Sequence, residues 1–527
     1  MTWLLSQLLS DGAKKYPGND AVVFNDEKIT YAELDALTNR MARALKEAGV
    51  RRGDRVGVYI NKSISSVASI YAILKADAAY VPLDPWVPVN RLAFIIKNCG
   101  ICCLLSASNK LDGVAQMIGG ESPVENVILT DAPATDQRPE GANFVEWSDV
   151  LQQSDSAVKQ QNIETDLAYI LYTSGSTGDP KGVMITHLNA LTFVNWAYET
   201  IKLHSGDRTT SHAPFHFDLS IFDLYATAKA GATLCLVPTE TAKFPVKLAQ
   251  FIQEQKVTVW YSVPSAWVLM LTRGKTNEID FSALRTIIFA GEVFPIKYLR
   301  KLTETVPHAE FYNWYGPTET NVITSYKVEA LAPERREPIP IGKACANMDV
   351  FALDEHGGIV TEPGQVGELY GRGSTVAQGY WNDPEKTQRL FAPNPILPHY
   401  HDRTYRTGDL VKLDENGDYH YIGRRDHQVK VQGYRIELGE IETAILNLPE
   451  VEEAAVIPLQ NQEQQTYLKA FVVLRNGNEM KPNQLRRHCS RCVPKYMVPE
   501  TVEFRESLPK TSTGKTDRKQ LAGELQR

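Results

Sequence analysis

The stretch Leu167-Ala-Tyr-Ile-Leu-Tyr-Thr-Ser-Gly-Ser-Thr-Gly-Asp-Pro-Lys181 runs from an apolar, strand-like segment into a loop of glycines and hydroxyl residues that a lysine closes. A strand entering such a loop exposes backbone N–H groups, hydroxyl donors and one cation together, and glycines let the backbone approach an anion closely. The stretch is not a P-loop, because Asp179 and Pro180 separate Lys181 from Gly178. Taken alone, it fits a flexible surface loop as well as a polyphosphate site.

The composition is that of a globular protein with more than one domain. A chain of 527 residues is too long for one core, and 43% hydrophobic with 23% charged residues is ordinary for a folded protein. A net charge of −7 argues against nucleic-acid binding, and no apolar run approaches the roughly 20 residues needed to cross a bilayer. The first residues lack the basic region of a signal peptide. We therefore expect a cytoplasmic protein without a nucleic-acid or membrane partner.

Seven cysteines are too few for a disulfide framework in a chain of this length. Two Cys-x-x-Cys pairs occur, Cys99/Cys102 and Cys489/Cys492, but they lie at opposite ends of the chain. Four thiolates can hold zinc in principle. The spacing favours ordinary reduced, mostly buried cysteines over a metal site.

Strand-like and helical patterns alternate through much of the chain, for example a strand at 56–60, a helix at 63–76 and a strand at 286–290. Such alternation predicts an α/β fold with parallel-type sheets and covering helices. After about residue 340 short strands with Gly and Asp turns predict a β-rich subdomain. We predict a large domain at 1–422, with that subdomain at about 340–422, a hinge at 423–426 and a small, mobile α+β domain at 427–527.

Further polar segments follow the glycine-rich loop in a fixed order. They are Tyr315-Gly-Pro-Thr-Glu319, Thr407-Gly-Asp409, Gly423-Arg424-Arg-Asp426, Val429-Lys-Val-Gln-Gly-Tyr-Arg435 and Leu508-Pro-Lys-Thr-Ser-Thr-Gly-Lys515. Each has an ordinary explanation on its own, since isolated acids are usually solvated and terminal lysines usually belong to a tail.

Together these segments resemble the adenylate-forming superfamily, which comprises acyl-CoA synthetases, firefly luciferases and the adenylation domains of nonribosomal peptide synthetases. The resemblance covers essentially the whole chain and is greatest for amino-acid-activating adenylation domains, especially those that load a separate carrier protein. It implies two steps: ATP and a carboxylate give an acyl-adenylate and pyrophosphate, and the acyl group then moves to the phosphopantetheine thiol of a carrier. ATP and Mg²⁺ are the implied cofactors.

The resemblance also assigns nucleotide-binding residues. Lys181 would act as a point charge on the phosphates, Tyr315 would stack on adenine, Asn313 would read its edge, and Asp409 would accept hydrogen bonds from the ribose hydroxyls. The complete set is Thr173, Ser174, Gly175, Ser176, Thr177, Gly178, Lys181, Gly291, Asn313, Tyr315, Gly316, Thr318, Asp409, Arg424 and Lys515.

Three residues carry the catalytic roles that the resemblance implies. Glu319 matches the Mg²⁺ ligand, Thr318 lies beside it, and Lys515 would neutralise the charge that grows on the attacking carboxylate and the α-phosphate. Lys515 belongs to the small domain, so the site would exist only when the domains close. Asp426 matches the hinge, about which the small domain rotates after adenylation.

The segment Phe217-Asp-Leu-Ser-Ile-Phe222 matches the one that lines the amino-acid pocket, with Asp218 on the α-ammonium. A buried carboxylate needs such a cationic partner, although an Asp here could instead cap a helix. The other pocket positions are Leu219, Phe222, Ser262, Ile288, Ala290, Trp314, Val322 and Ile323. No second acid or base appears among them, so a small neutral amino acid such as proline or alanine is expected. Asp77 replaces a usual glycine, and we expect only a local surface effect.

Three alternatives stay open: an acyl-CoA ligase that uses free coenzyme A, a D-alanine–carrier protein ligase, and a non-catalytic binding relative. The last is disfavoured because Lys181, Glu319, Asp409 and Lys515 are all present. No carrier-attachment motif follows Lys515, which predicts a stand-alone enzyme with its carrier supplied in trans. The sequence gives neither the exact amino acid nor the oligomeric state.

Overall fold

A computed structural model of the protein describes residues 2–132, 137–175, 179–397, 399–400, 402–425, 428–475, 478–510 and 516–525. The chain divides into two compact units. The large unit comprises Met1–Pro85, Ile96–Leu171 and Gly182–Gly423, and the small unit comprises Trp86–Ile95, Tyr172–Lys181 and Arg424–Arg527. Within the described residues, every helix is too short or too polar to pass through a lipid bilayer.

The α-helices of the described residues are Leu5–Lys15 (α1), Tyr31–Glu47 (α2), Ile64–Lys75 (α3), Val89–Cys99 (α4), Leu111–Met117 (α5), Trp147–Gln152 (α6), His187–Ile201 (α7), Thr227–Ala230 (α8), Thr239–Lys243 (α9), Pro245–Glu254 (α10), Pro264–Arg273 (α11), Ile296–Thr305 (α12), Pro384–Leu390 (α13), Leu438–Leu446 (α14), Pro482–Cys492 (α15) and Arg518–Glu524 (α16). A π-helix, Phe222–Ala226, leads directly into α8.

The strands are Asp20–Phe24 (β1), Glu27–Thr30 (β2), Arg55–Tyr59 (β3), Ala79–Pro82 (β4), Ile101–Ser106 (β5), Asn126–Leu129 (β6), Asn143–Val145 (β7), Leu167–Thr173 (β8), Lys181–Thr186 (β9), Arg208–Ser211 (β10), Thr233–Leu236 (β11), Val259–Ser262 (β12), Thr286–Ala290 (β13), Glu310–Tyr315 (β14), Thr324–Lys327 (β15), Lys343–Ala344 (β16), Met348–Leu353 (β17), Val366–Gly373 (β18), Gly379–Tyr380 (β19), Phe391–Pro393 (β20), Arg403–Leu413 (β21), Tyr419–Arg424 (β22), Gln428–Val431 (β23), Tyr434–Glu437 (β24), Val451–Gln460 (β25), Thr466–Leu474 (β26) and Thr501–Arg505 (β27).

Two largely parallel sheets form the framework of the large unit. One has the strand order β16-β15-β14-β13-β12-β10-β11-β1-β2, and the other β19-β9-β8-β4-β3-β5-β6-β7. Their central strands are largely buried, as expected where helices cover both faces of a sheet, and all five residues of β13 are buried. Strands β10 to β14 run parallel, and β15 returns antiparallel to β14. The residues of β14 that lead into the 315–319 turn therefore emerge at the carboxyl ends of the parallel strands, where ligands of such sheets bind.

A third, antiparallel sheet of the large unit contains β17, β18, β20, β21 and β22. Its apolar face includes Leu369 and Val411, which form one cluster with Ile323 and Tyr315. Asp409 lies on β21, so this sheet carries one of the predicted nucleotide-binding residues.

The small unit has its own core. The antiparallel pair β25 and β26, extended by the parallel strand β27, packs with α14 and α15 around residues that include Ile441, Val472 and Leu485. Strands β23 and β24 form a separate two-stranded hairpin.

The predicted fold class is confirmed, with parallel-type sheets, a β-rich part and a small α+β unit. Element positions agree closely where the apolar pattern is regular. The helix predicted at 63–76 is α3, and Ser63 caps it by accepting a hydrogen bond from the Ser66 N–H. The strand predicted at 286–290 is β13, and the strand predicted at 56–60 is shifted by one residue.

The expectation for Asp77 is wrong. This residue is only 2% exposed and adopts a left-handed conformation, with φ +67°, directly after α3. Its carboxylate accepts hydrogen bonds from the Gln161 and Asn162 N–H groups and pairs with Lys46 at 2.6 Å. Aspartate tolerates this backbone conformation better than most residues, and here its side chain also fastens the 161–162 segment.

Candidate active site

The glycine-rich loop lies in the Tyr172–Lys181 segment of the small unit, which includes Thr173, the last residue of β8. A Cβ at Gly175 would lie 2.0 Å from the Asp179 carbonyl oxygen, so only glycine fits this turn. The Ser174 hydroxyl donates to the Arg435 carbonyl, while the Thr173 hydroxyl is buried and has no partner among the described residues. Lys181 is buried at the start of β9. The predicted residues Ser176, Thr177 and Gly178 lie outside the described residues.

The Tyr315-Gly-Pro-Thr-Glu319 turn follows β14 in the large unit. A Cβ at Gly316 would meet the Asn321 carbonyl oxygen at 1.6 Å, so the turn closes only with glycine. Asn321 itself has φ +53°, a conformation that asparagine tolerates. This tight closure fixes the directions of the Tyr315, Thr318 and Glu319 side chains.

Tyr315 and Asp409, predicted to bind adenine and ribose, contact each other. The Tyr315 hydroxyl donates to Oδ2 of Asp409, and both side chains are buried. The Thr407 hydroxyl accepts from the Asp409 N–H at 3.0 Å and donates to the Leu369 carbonyl at 2.7 Å, which fixes the backbone beneath the carboxylate. Asn313 donates its amide to the Pro340 carbonyl at 2.7 Å. Gly291 follows β13 with φ +89°.

Glu319 is fully buried, and the Tyr380 hydroxyl donates to its Oε1 at 2.6 Å. Over the described part of the chain, no group of three or more His, Cys, Asp or Glu residues is placed to hold a metal ion. A lone buried carboxylate still fits Mg²⁺, because this ion is commonly held by one or two carboxylates together with substrate phosphates and water. Its remaining ligands would come from the nucleotide.

Asp218 and Thr318 join the predicted amino-acid segment to the nucleotide turn. The Thr318 hydroxyl donates to Oδ2 of Asp218 at 2.8 Å, across 100 residues of sequence. Asp218 is half-buried rather than buried. Its carboxylate is thus oriented by a neutral donor while remaining accessible to a ligand.

Six of the predicted pocket residues lie in one hydrophobic cluster: Leu219, Phe222, Ile288, Ala290, Trp314 and Val322. Trp314 is its centre, with ring centroids 5.6 Å from Phe222, 5.3 Å from Tyr261 and 4.9 Å from Trp196. The Trp314 indole N–H is buried and finds no acceptor within the described residues. These contacts give the predicted pocket a rigid aromatic wall.

Two predicted pocket residues are placed differently. Ile323 packs in the cluster of the antiparallel sheet, with Tyr315 and Val411. The Ser262 hydroxyl accepts from the Trp260 indole at 2.8 Å and donates to the Val263 carbonyl at 3.0 Å. Its hydrogen-bonding capacity is therefore largely used within its own strand end, and the predicted pocket is more apolar than expected.

One acid adjoins this cluster that the sequence analysis left aside. Asp223 follows Phe222 in the π-helix and is fully buried. Neither of its carboxylate oxygens has a hydrogen-bond partner among the described residues. Burial raises the pKa of Asp223 well above its usual value, with the nearby Lys62 opposing the rise.

Two predicted residues, Lys515 and Asp426, lie outside the described residues, and Arg424 ends β22. The residue that sequence reasoning missed is Tyr380. Its only sequence signal is a tyrosine after Gly379, and nothing in that pattern indicates a hydroxyl directed at a carboxylate 61 positions away. Trp196 and Tyr261, which pack on Trp314, were missed for the same reason.

Comparisons with known proteins show the family of the chain. A family model described as AMP-binding enzyme matches residues 9–381, and one described as AMP-binding enzyme C-terminal domain matches residues 440–515. An L-proline–[L-prolyl-carrier protein] ligase of Pseudomonas fluorescens strain Pf-5 is 37% identical over 524 residues, which is 99% of each chain. The enzyme of the same name from Streptomyces coelicolor is 36% identical, covering 98% of this chain and 95% of its own.

A solved structure has the same fold. The adenylation domain AlmE of Vibrio cholerae, in complex with glycyl-adenosine-5'-phosphate, superimposes with a TM-score of 0.87 at 24% identity, covering 100% of this chain and 98% of its own.

Proposed function

Because the chain belongs to the AMP-binding enzyme family and is a ligase, we propose that it activates L-proline as prolyl-AMP and transfers the prolyl group to the phosphopantetheine thiol of a separate carrier protein. Two full-length relatives named for this reaction, at 37% and 36% identity, support the choice of amino acid and acceptor. The absence of a spanning helix in the described residues is compatible with the cytoplasmic location that we propose.

The observation that carries the proposal is the hydrogen bond between Thr318 and Asp218, 2.8 Å long. Thr318 belongs to the nucleotide turn, and Asp218 is the proposed partner of the substrate's ammonium group. An acid that binds the amino group would therefore lie one hydroxyl away from the turn that binds ATP. Amino-acid recognition and adenylation thus share one rigid element.

In the first step, a carboxylate oxygen of proline attacks the α-phosphorus of ATP, the bond to the bridging oxygen breaks, and pyrophosphate leaves with the bonding electrons. Asp218 accepts the two N–H groups of the prolinium ion, while Tyr315 and Asp409 hold the adenosine. Lys515 neutralises charge that grows in the transition state, which accelerates the reaction rather than only strengthening binding. Lys181 and the N–H groups near Gly175 hold the phosphates.

Glu319 would hold Mg²⁺, which supplies a Lewis acid that spreads the phosphate charge when it is bound. Glu319 is fully buried, so its charge is not stabilised by water. A buried carboxylate therefore depends on hydrogen bonds and a bound cation more strongly than an exposed one does.

In the second step, the carrier's thiolate attacks the prolyl carbonyl, the bond to the phosphate oxygen breaks, and AMP leaves. We propose that rotation about Asp426 withdraws Lys515 before this step.

The aromatic wall favours proline over smaller amino acids. Phe222, Tyr261 and Trp314 pack edge to face and present aromatic surface. A pyrrolidine ring gains more apolar contact with such a wall than a methyl group does, at about 0.8 kcal/mol per buried methylene. Two additional methylenes relative to alanine correspond to roughly tenfold to a hundredfold in specificity.

The test is amino-acid-dependent exchange of pyrophosphate into ATP, with L-proline, D-proline, L-alanine, D-alanine, glycine and a set of fatty and aryl acids. We expect the highest kcat/KM with L-proline. A maximum with D-alanine would move the enzyme to the D-alanine–carrier ligases, and a response confined to acids without an amino group would remove the role of Asp218.

The acceptor is tested with labelled proline and two thiols: free coenzyme A, and the phosphopantetheine-bearing carrier that the Pseudomonas relative loads. We expect label on the carrier at a rate at least tenfold above that of coenzyme A acylation. Equal or faster acylation of coenzyme A would contradict carrier loading while leaving adenylation intact.

A further inference from the structure

We propose that Tyr380 is a positioning residue that orients Glu319 for the magnesium ion of MgATP. The inference rests on the proposed function, in which Glu319 is the metal ligand. It concerns a hydroxyl that no motif of the nucleotide site contains, on a strand that lies in a different sheet from the nucleotide turn.

The contact itself is short and buried. The Tyr380 hydroxyl donates to Oε1 of Glu319 at 2.6 Å, in the range of hydrogen bonds to an ionised acceptor. Tyr380 is 2% exposed and Glu319 is fully buried, so water does not substitute readily for the phenol. A donor held on one oxygen of a carboxylate sets the direction of the other, which is how outer residues around metal sites orient their ligands.

Tyr380 is well fixed from its own side. It lies on β19, opposite Val183 of β9, and its N–H donates to the Thr387 hydroxyl at 2.9 Å. Its ring packs edge to face on Phe391 with centroids 5.4 Å apart. A hydroxyl on so constrained a ring has little freedom to follow Glu319, so the carboxylate must adapt to the tyrosine.

The backbone shows that the hydroxyl is not needed merely to join the two segments. The Ala377 N–H already donates to the Glu319 carbonyl at 2.9 Å, and the Asn189 amide holds the Ser374 and Val376 carbonyls at 2.8 and 3.0 Å. Loss of the phenol oxygen therefore leaves the segment attached. What it removes is the restraint on the carboxylate.

Tyr405 supplies a matched control. Its ring is also fully buried, and its hydroxyl lies 3.4 Å from that of Tyr380, at the limit of a hydrogen bond. Tyr405→Phe removes the same atom from the same layer of the core without removing the donor on Glu319. A general packing effect would appear in both variants, whereas a positioning effect would appear in Tyr380→Phe alone.

The experiment measures binding of α,β-methylene-ATP, which cannot be cleaved at the reacting bond, by calorimetry with saturating Mg²⁺ and with EDTA. The ratio of the two dissociation constants is the strengthening due to magnesium. We expect Tyr380→Phe to reduce this ratio about tenfold, the low end of the effect of outer-shell residues on metal affinity. The dissociation constant of Tyr380→Phe in EDTA and its unfolding midpoint should stay close to those of the wild type. Tyr405→Phe should keep the wild-type ratio of the two dissociation constants.

A double-mutant cycle with Glu319→Gln completes the test. If Tyr380 acts through the Glu319 carboxylate, Tyr380→Phe should have no further effect on the ratio once Glu319 is Gln. An unchanged ratio in Tyr380→Phe, equal losses in the two tyrosine variants, or an additive loss in the Glu319→Gln background would each overturn the positioning role.

Failure of the proposed function would look different. A wild-type protein that exchanges pyrophosphate with none of the amino acids would overturn that function. If the wild type is active and magnesium strengthens its nucleotide binding, but strengthens binding equally in Tyr380→Phe, only the positioning role would be overturned.

Discussion

Asp218→Asn is the sharpest test of the amino-acid site, because it removes charge and little else. The Asn side-chain oxygen can still accept the hydrogen bond that Thr318 now donates at 2.8 Å. The half-buried position also tolerates the amide without leaving it fully desolvated. What disappears is the negative charge that we propose binds the substrate's ammonium group.

The expected loss follows from the strength of that interaction. A hydrogen bond to a charged group contributes about 1.5–3 kcal/mol. At about 1.4 kcal/mol for each factor of ten, this corresponds to a fall of roughly 10- to 150-fold in kcat/KM for proline. The KM for ATP should change less than about twofold, since Asp218 does not belong to the nucleotide set. Asp218→Ala should lose at least as much, because it also leaves the Thr318 hydroxyl without this acceptor.

The assay is pyrophosphate exchange with proline and ATP varied independently. Asp84→Asn is the matched control: Asp84 is another partly buried acid of the large unit, 3.6 Å from His216, and it should leave proline kinetics within about twofold. A rise in the ATP KM as large as that for proline would refute the reasoning. So would an equal loss in Asp84→Asn, because the effect would then belong to any acid removed from this region.

Three further predictions follow from the nucleotide site and from one buried histidine. Lys515→Ala should slow adenylate formation at least about 10²–10³-fold yet largely spare transfer from supplied prolyl-AMP; equal losses in both half-reactions would contradict the withdrawal of Lys515. Tyr315→Phe keeps the ring but removes the donor on Asp409, so the ATP KM should rise about fivefold, corresponding to about 1 kcal/mol, with the proline KM unchanged; a normal ATP KM would show that the bond does not orient the carboxylate. Burial lowers the pKa of His187 from 6.5 to about 4, so the folded state favours the neutral ring; stability is full above pH 6.5 and declines as the pH falls toward 4. Between pH 7 and pH 5, the free energy of unfolding measured in urea should therefore fall about 2 kcal/mol less in His187→Gln than in the wild type. Equal falls in the two proteins would exclude His187 as the source of this pH dependence.

The sequence predicted the elements best where a periodic pattern decides the structure. Strand β13 is a continuous apolar run because both faces of its sheet are covered, and such a run has one satisfactory place in an α/β fold. Helix α3 begins after Ser63 because the serine side chain satisfies an N–H that the helix leaves unpaired. Both signals are local and can be read without knowing the tertiary structure.

Contacts across the fold could not be predicted in this way. The bond from Tyr380 to Glu319 and the one from Tyr315 to Asp409 depend on how sheets meet, and their partners lie 61 and 94 positions apart. The burial of Asp77 could not be predicted because a charged residue beside a helix usually faces solvent, whereas here a left-handed turn carries it inward. Ser262 was predicted only as a pocket position, and the bonds of its hydroxyl to Trp260 and Val263 are not visible in the sequence pattern.

The turn 315–319 brings together three residues to which the proposed function gives chemically different tasks. Tyr315 bonds to Asp409, Thr318 to Asp218 and Glu319 to Tyr380, so the roles proposed toward ribose, ammonium and metal involve three side chains within five consecutive residues. Their relative positions are fixed by the backbone, which closes so tightly at Gly316 that no Cβ fits. A displacement of this turn must therefore disturb all three interactions together, whereas loss of one partner residue disturbs only one. In the proposed function, ATP and the amino acid would meet in a defined geometry because the hydrogen bond from Thr318 to Asp218 joins the two binding segments directly.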